Sequence, residues 1–475
     1  MRNWLLGLLL TTSLSLFAQT NSADLPAAPL PSSVSLTLAA VGANAGSSQA
    51  ELPNQQQPLV DPSTSTISIT RADAERLALK NNPRITASHL LALAAGQVTR
   101  ETRSGELPQI FSAITAEKAE DGSRIGAGAL TNSRLYTHAG AGGSLSQLIT
   151  DFGHTRDLVA TNKLQQKAQD QTALATEQDV LLATDEAFYR LLNAQSLLDV
   201  AKATVAARGD VQNLTSALTK SALKSDLDLN IASADLSQSQ LQELDAENGV
   251  ASASAVLAAI LAAPADTLYR AAKDAEDAPP PPPDSSASIN ASAQAQRPDL
   301  QALRLNAAAD QKFATAQQLQ HLPTISALAI GGITPVAPDG VFTPNWYAAG
   351  GVNLTLPLFT GFRINAQTQE ARLRQKAAEK QAQELSNTIA RDVRVAVLNA
   401  QTAFRRIAVA DQFRRQTAQA LALAQTRYKL GLSSIVELSQ AQLQSTQAAV
   451  AAVNARYDYL LSLRALDYTR GQLAP

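Results

Sequence analysis

The residue types that usually carry catalysis or bind metal ions are scarce in this chain. It has no cysteine, and its four histidines are His89, His138, His154 and His321. No H-E-x-x-H or G-x-S-x-G motif occurs, so the usual signatures of zinc and serine hydrolases are missing. Asp226 and Asp228 lie two positions apart on a predicted helix, where their side chains face different directions. The sequence therefore predicts a protein that is not an enzyme and that has no metal ion and no cofactor.

The charge balance excludes further classes of function. The formal net charge is −2 at pH 7, and no run of five or more basic residues occurs, so nucleic acid is not an expected partner. The phosphate-binding motif G-x-x-x-x-G-K-[ST] is also absent. Any step that needs energy must therefore draw it from a partner protein.

The N-terminus has the features of a secreted protein. Residues 1–18 combine Arg2, an apolar stretch and a plausible cleavage point at Ala18, which predicts a signal peptide; an uncleaved N-terminal anchor is the alternative. Residues 19–66 are rich in Pro, Ser, Ala, Gln and Asn and predict a flexible extension. No later run of about 18 apolar residues occurs, so a conventional transmembrane helix is not expected.

Long helices dominate the rest of the pattern. No proline occurs between Pro357 and Pro475, and Gly431 is the only glycine between Gly361 and Gly471. Such a run can stay helical throughout, and at about 1.5 Å per residue the arm from 361 to 431 would extend roughly 105 Å. Its apolar residues step by three or four, as in the narrow seam of a coiled coil.

An alternating run precedes this helical arm. Val352, Leu354, Leu356 and Leu358 are separated by other residues, which is the period of a strand with one apolar face. Strands of this length can cross a bilayer, for which about 9–11 tilted residues suffice. The same weak alternation also fits an ordinary amphipathic sheet.

The same order of segments occurs twice along the chain. A shift of 209 places Leu354 on Leu145 and the segment 431–438 on 222–229, and a shift of 215 places Arg297-Pro298 on Asn82-Pro83. We interpret this as an internal duplication, because tandem similarity of this kind is typical of repeated structural units.

The duplication predicts the following layout. The first repeat spans 67–263, with strands at about 109–118 and 135–150, an exposed loop between them, and a helical hairpin at about 153–263. A proline-rich linker follows at 264–297 and joins the two repeats. The second repeat spans 288–473, with strands at about 324–332 and 346–358 and a helical hairpin at about 361–470.

Four strands per chain are too few to close a barrel in lipid, where open sheet edges are not tolerated. About eight strands is the minimum, so several copies must share one barrel. Three copies would supply about 12 strands, an even number within the known range. The expected fold is mainly α with membrane β, in which a helical tube continues the barrel.

Several short segments carry a resemblance to a known family. The chain resembles the TolC-type outer-membrane efflux proteins in Arg297-Pro298-Asp299-Leu300, in 322–326, in 356–361 and in 427–431, all correctly spaced within the duplication. The resemblance implies a homotrimer with a 12-stranded barrel in outer-membrane lipid, continued by a long α-helical coiled-coil tunnel in the periplasm. It also implies an equatorial belt, to which the linker at 264–297 would belong. It also implies two partners, a periplasmic adaptor protein and an inner-membrane pump.

The resemblance places the periplasmic aperture and the adaptor contact at the far ends of the two hairpins. The residues it implies there are Lys220, Ala222, Leu223, Asp228, Arg427, Lys429, Gly431, Leu432, Ser433, Glu437 and Gln440. Gly431 meets the family pattern, whereas Ala222 stands where the first repeat would have glycine. Glu437 and Asp228 fit an acidic ring inside the aperture or a solvated helix face. Arg427 fits a structural ion pair or a gating lock.

The function that follows is a passive outer-membrane duct of a tripartite efflux or type I secretion system, opened at its helical ends by the adaptor and pump. The alternative is a structural or adhesive coiled-coil protein of the cell envelope that transports nothing. That alternative would explain the long helices but not the duplicated strand pairs.

Overall fold

The computed structural model describes residues 66–118, 120, 124–127, 130–134, 137–272, 280–283, 285–333, 336–337 and 346–473. The predicted signal peptide, 1–18, lies outside these residues. So does the predicted extension, 19–66, except for its last residue, which begins the first strand.

The first half of the chain begins with a short strand and two helices. Strand β1 (Thr66–Ile69) leads into α1 (Arg71–Asn81), whose N-cap Thr70 accepts a hydrogen bond from the Asp73 amide at 3.2 Å. Helix α2 (Pro83–Ser104) follows at once, because Asn82 ends α1 in an extended conformation and caps α2. Proline at the first helical position suits this start, since its missing amide hydrogen is not needed there.

Four strands follow α2. They are β2 (Gln109–Glu117), β3 (Arg124–Ala127), β4 (Leu130–Arg134) and β5 (Thr137–Thr150). The predicted exposed loop between the two long strands is wrong in part, because β3 and β4 pair with each other as an antiparallel hairpin. The segment 122–126 contains two glycines and polar residues, so its sequence pattern does not predict a strand.

The first helical hairpin consists of α3 (His154–Lys220) and α4 (Asp226–Ile260). Strand β6 (Leu268–Ala271) then pairs in parallel with β1, and α5 (Ser286–Gln296) precedes the second half. The predicted linker at 264–297 is thus more ordered than a spacer, because it supplies one strand and one helix. Residues 273–279 and 284 of that linker lie outside the described part of the chain.

The second half has the same order of long elements as the first. Helix α6 (Pro298–Leu319) leads to β7 (Thr324–Ile333), a two-residue strand β8 (Val336–Ala337), and β9 (Trp346–Thr355). The second hairpin is α7 (Arg363–Lys429) and α8 (Ile435–Arg470). Helices α3 and α7 each contain 67 residues, or roughly 100 Å at 1.5 Å per residue.

The long strands form one antiparallel sheet in the order β2-β5-β7-β9. Gln109 lies opposite Ser146 in the first strand pair, and Thr324 lies opposite Thr355 in the second. Adding 215 to the number of Gln109 and 209 to the number of Ser146 gives the second residue pair. The two ladders therefore have the same register.

The helices pack through small residues and a few large ones. The main cluster joins α1, α3 and α4 and includes the fully buried Phe188, Leu191 and Leu257. A second cluster joins α5, α6, α7 and α8 around Ile389 and Leu300. No helix in the described ranges is both long enough and apolar enough to cross a membrane.

Candidate functional site at the ends of the helical hairpins

The first hairpin end (220–228) is a tight turn between α3 and α4. Ala222 adopts a left-handed conformation with φ of 57°, and the Leu223 amide donates to the Leu218 carbonyl at 2.9 Å. A left-handed residue followed by a hydrogen bond back into the helix is a common helix C-cap, and it ends α3 here. Ser225 then caps α4 by accepting a hydrogen bond from the Asp228 amide at 3.2 Å.

The second hairpin end (427–440) repeats this geometry with different residues. Gly431 has φ of 74°, and the Leu432 amide donates to the Arg427 carbonyl at 2.8 Å. Ser434 caps α8 by accepting from the Glu437 amide at 3.3 Å. The two turns therefore have one backbone design, although only the second has glycine at its left-handed position.

The two hairpin ends contact each other through Lys224 and Tyr428. The Lys224 ammonium lies 4.6 Å from the centre of the Tyr428 ring and 3.5 Å from the Ser433 carbonyl oxygen. The Tyr428 hydroxyl is 3.2 Å from the Thr215 hydroxyl of α3. A cation over an aromatic face is attracted by the ring quadrupole. Tyr428 therefore connects α7 to both α3 and the first turn.

An apolar cluster lies directly behind these contacts. Its buried members come from all four hairpin helices: Val211, Ala232, Ala424, Tyr428, Ile435 and Leu438. Burial in this cluster raises the pKa of the Tyr428 phenol, while the hydrogen bond with Thr215 opposes that rise. The hydroxyl therefore stays protonated at neutral pH. The cluster holds the two hairpins together just before their ends.

The charged residues predicted for this region lie around the turns. Arg427 and Glu437 form an exposed ion pair across the second turn, with 3.6 Å between Nε and Oε1. Lys220, Lys429 and Gln440 are exposed, and Asp228 is half-buried. No hydrogen bond or ion pair in the described part of the chain joins Asp228 to Glu437. Within one chain, the structure thus brings Arg427 and Glu437 together but leaves the two acidic positions apart.

Large apolar side chains are exposed at both hairpin ends. Leu223 is 70% exposed and its counterpart Leu432 is 67% exposed. Leu227, Leu430 and Val436 are also exposed. These exposed apolar side chains make the hairpin ends a candidate surface for contact with another molecule.

Sequence reasoning identified the turns but missed the contact between them. Lys224 and Tyr428 have no assigned role in the sequence pattern, although Tyr428 is part of the family segment 427–431. The available signal was the shift of 209, which places Lys224 on Ser433 and Thr219 on Tyr428. Positions that differ between two otherwise similar repeats are candidates for contacts between the repeats.

The three histidines whose side chains the structure describes contact different neighbours. His89 Nε2 is 2.6 Å from Glu177 Oε1, His154 Nδ1 is 2.8 Å from the Ala316 carbonyl oxygen, and His321 Nε2 is 3.0 Å from Asn365 Oδ1. The side chain of His138 lies outside the described residues. In the described ranges no three His, Asp or Glu side chains are grouped in a way that could hold a metal ion.

A buried pair of carboxyl groups lies near the middle of α3, away from the hairpin ends. The side chains of Glu75 in α1 and Asp185 in α3 are both inaccessible to solvent. Arg71 pairs with Glu75, and Arg464 Nε lies 4.0 Å from Asp185 Oδ2. Burial and the neighbouring Glu75 raise the pKa of Asp185 to about 8, against the opposing effect of Arg71 and Arg464. The pair therefore holds a proton at neutral pH.

Comparison with known proteins agrees with this architecture. The family model described as "Outer membrane efflux protein" matches residues 75–263 and 290–472. The chain therefore belongs to the outer membrane efflux protein family, and the resemblance inferred from its sequence is confirmed.

The relatives are TolC-type proteins. The outer membrane protein TolC of Vibrio cholerae is 24% identical over 415 residues, which cover 85% of this chain and 91% of the relative. TolC of Escherichia coli is 25% identical over 402 residues, covering 80% of this chain and 78% of the relative. No enzyme is among these relatives.

Solved structures share the fold. The outer membrane protein VceC of Vibrio cholerae matches with a TM-score of 0.72 at 18% identity, covering 84% of this chain and 96% of VceC. The CmeC outer membrane channel of Campylobacter jejuni matches with a TM-score of 0.70 at 20% identity, covering 85% of each chain.

Proposed function

We propose that this protein is the outer-membrane channel of a tripartite efflux or type I secretion system. It would be a passive trimeric duct that leads from the periplasm to the exterior. The observation that carries the proposal is the four-stranded sheet, whose two outer edges pair with no strand in the described part of the chain. In this proposal, residues 1–18 are a signal peptide removed on export, and the two halves of the chain arose by duplication. The matching strand registers support that duplication.

One face of the sheet is suited to lipid. Side chains at directly opposed positions share a face, and one row runs through Ile114, Ala141, Ile333 and Trp346. Four residues away along β2, another row on the same face runs through Ile110, Leu145, Ala329 and Gly350. Ile114 is 88% exposed and Trp346 is 80% exposed, so nothing in the described chain covers them. The other face is mixed, because it carries Ser144, Ser146 and Asn353 together with Phe111, Leu328 and Ile330.

The edges of the sheet call for identical neighbours. No described strand pairs with the outer edge of β2 or of β9. Because open edges are not tolerated in lipid, other copies must pair with them. Three copies would then form a closed barrel of about 12 strands. The pairing of β5 with β7 indicates how β9 of one copy would pair with β2 of the next. Adding 209 to the residue numbers of β5 gives β9, and subtracting 215 from those of β7 gives β2. Leu145 lies opposite Ala329, so Leu354 would lie opposite Ile114 of the next copy.

The hairpin ends are the proposed aperture and the contact for the adaptor and the inner-membrane pump. The exposed Leu223 and Leu432 would contact the adaptor, with Lys220, Lys429 and Ser433 at the rim. Asp228, Glu437 and Gln440 would line the aperture, and Arg427 would hold Glu437 in the closed state through their 3.6 Å ion pair. Ala222 and Gly431 would set the turns. Opening would separate the two ends at the Lys224–Tyr428 contact.

Two measurements on the purified protein test the proposal. Particle mass in detergent should correspond to three chains, and insertion into planar bilayers should give discrete conductance steps. A homogeneous monomer, or a trimer that never conducts, would reject the channel. The non-conducting trimer would instead favour an envelope protein with a structural role.

Cross-linking tests the barrel itself. The chain lacks cysteine, so the double variant Ile114→Cys, Leu354→Cys should form disulfides only between copies. The control pair Ile110→Cys, Leu354→Cys places the first cysteine four residues away, or roughly 13 Å along the strand. Equal cross-linking by both pairs would contradict the expected register.

A further inference from the structure

A short proline segment of the linker lies against the second half of α8. Residues 280–283 are all proline, and side chains of two helices hold this proline segment in place. The Tyr459 hydroxyl of α8 donates to the Pro280 carbonyl oxygen, and the Gln401 amide of α7 donates to the Pro283 carbonyl oxygen at 3.2 Å. The segment is thus fixed at both of its ends.

A pocket of about 350 Å³ lies between the proline segment, α8 and Tyr189 of α3. This volume is at the lower end of the range for small-molecule sites. Its wall on α8 includes Leu460, Leu463, Asp467 and Arg470, which recur every three or four residues and so share one face of the helix. The opposite wall offers no backbone N–H, because proline has none. The donors among the lining side chains are therefore two guanidinium groups and the Tyr189 hydroxyl.

The two arginines of the pocket are largely buried, yet they are poorly satisfied. The side chains of Arg464 and Arg470 are 26% and 25% exposed. Neither guanidinium donates a hydrogen bond in the described part of the chain, and the buried Nε of Arg470 has no hydrogen-bond partner there. Buried polar groups are normally hydrogen-bonded, so these donors indicate a place where a ligand could be bound.

Positive charge exceeds negative charge at this end of the pocket. Asp467 lies between the arginines, with Oδ2 at 3.5 Å from Arg464 Nη1 and Oδ1 at 4.0 Å from Arg470 Nη1. Both distances exceed the usual N–H···O range of about 2.7–3.2 Å, so this carboxylate satisfies the two cations only in part. Asp185 lies 4.0 Å from Arg464, but it shares a buried site with Glu75 that holds a proton at neutral pH.

We infer that this pocket binds a small oxyanion, a carboxylate or a phosphate, that is carried on an apolar group. The guanidinium groups of Arg464 and Arg470 would donate to the oxyanion, since the planar fork of arginine suits carboxylate and phosphate oxygens. Leu460, Leu463 and the proline segment would contact the apolar group. The bound molecule would thereby join the linker between the two repeats to α8.

Ligand binding to the full-length protein in detergent tests this inference. Phenyl phosphate and benzoate are the probes, and phenol, which has the ring without the anionic group, is the uncharged control. In isothermal titration calorimetry both anions should bind saturably and compete with each other, whereas phenol should bind at least about tenfold more weakly. The affinity of the anions should fall as salt is raised. Absence of saturable binding by the two anions, or equal binding of phenol, would overturn the inference.

Two variants test whether binding occurs in this pocket. Arg470→Gln removes one guanidinium, and Leu463→Trp fills the pocket without changing its charge. Each should weaken the binding of phenyl phosphate about tenfold or more. The control Arg415→Gln removes an exposed arginine of α7 that does not line the pocket, and it should leave the affinity unchanged.

Circular dichroism verifies that the variants keep their helical content. Unchanged affinity in both folded variants would overturn the inference. That outcome would leave the proposed channel intact, because the binding measurement does not depend on conductance. Loss of conductance with binding retained would reject the channel and leave the pocket as described.

Discussion

The two hairpin ends share a backbone but differ in the side chains that they carry. Both have a left-handed residue, a bond back into the preceding helix and a serine cap. Yet alanine stands in place of glycine, lysine in place of serine, and Thr219 in place of Tyr428. Local hydrogen bonds thus suffice to fix the turn, whereas contact between the two turns depends on residues that differ between them. The following predictions test whether residues that fix a turn and residues that join the two turns contribute differently to stability.

The largest expected effect is at Tyr428. Replacing this fully buried side chain by alanine removes contacts with both hairpins and should lower the free energy of unfolding by about 3–5 kcal/mol. Its counterpart change, Thr219→Ala, affects a half-buried side chain and should cost less than about 1 kcal/mol. Thermal unfolding followed by circular dichroism, with proteolysis at the hairpin ends, measures both. Equal losses would mean that the two ends are equivalent.

The second prediction concerns the buried acid near the middle of α3, where α7 has Arg394 at the corresponding position. Since the pKa of Asp185 is raised from 3.8 to about 8, the folded protein holds a proton that the unfolded chain releases above about pH 4. Stability should therefore fall as pH rises through this window and level off above about pH 8. The slope is at most about 1.4 kcal/mol per pH unit.

The substitution Asp185→Asn should flatten this pH dependence. The control Glu186→Gln changes the adjacent, half-exposed acid and should leave the slope unchanged. Unfolding curves between pH 4 and pH 9 decide the outcome. An unchanged slope in Asp185→Asn would show that its proton is not linked to folding.

Exchanging alanine and glycine between the turns should change the free energy of unfolding by a smaller amount. The change should have opposite signs at the two turns. Nothing lies within 4 Å of a side chain added at Gly431, so Gly431→Ala should cost only the left-handed conformation, about 1 kcal/mol. Ala222→Gly should relieve the same strain and stabilise the first turn. Melting temperatures of the two variants and of their combination measure this. Destabilisation by Ala222→Gly would show that flexibility of the unfolded chain outweighs the strain.

The smallest effect is expected at the exposed ion pair. Arg427→Ala should change stability by less than about 1 kcal/mol, since both side chains are about half exposed and screened by water. If Arg427 instead holds the aperture closed, the variant should raise conductance in planar bilayers with little change in melting temperature. Lys202→Ala is the control, because it removes an exposed cation of α3 that lies away from the hairpin ends. Identical conductance in all three proteins would assign Arg427 a purely local role.

Much of the fold followed from the sequence because its signals are local. The absence of proline, together with apolar residues at helical spacing, predicted the two long helical hairpins, and alternation predicted four long strands with bounds close to those observed. The register of the two ladders also agrees with the shifts read from the sequence. The β3–β4 hairpin and strand β6 were missed, because strands this short pair through neighbours that no local pattern reveals.

The sequence by itself determined the periodic elements, the turns at Ala222 and Gly431, and the family. Only the tertiary structure decided that Lys224 lies over Tyr428 and that Glu75 and Asp185 share one buried site. The physical reason is how far apart in the sequence the interacting residues lie. Helix and strand formation depend on residues a few positions apart, whereas these contacts join residues separated by more than a hundred positions and depend on how whole helices pack.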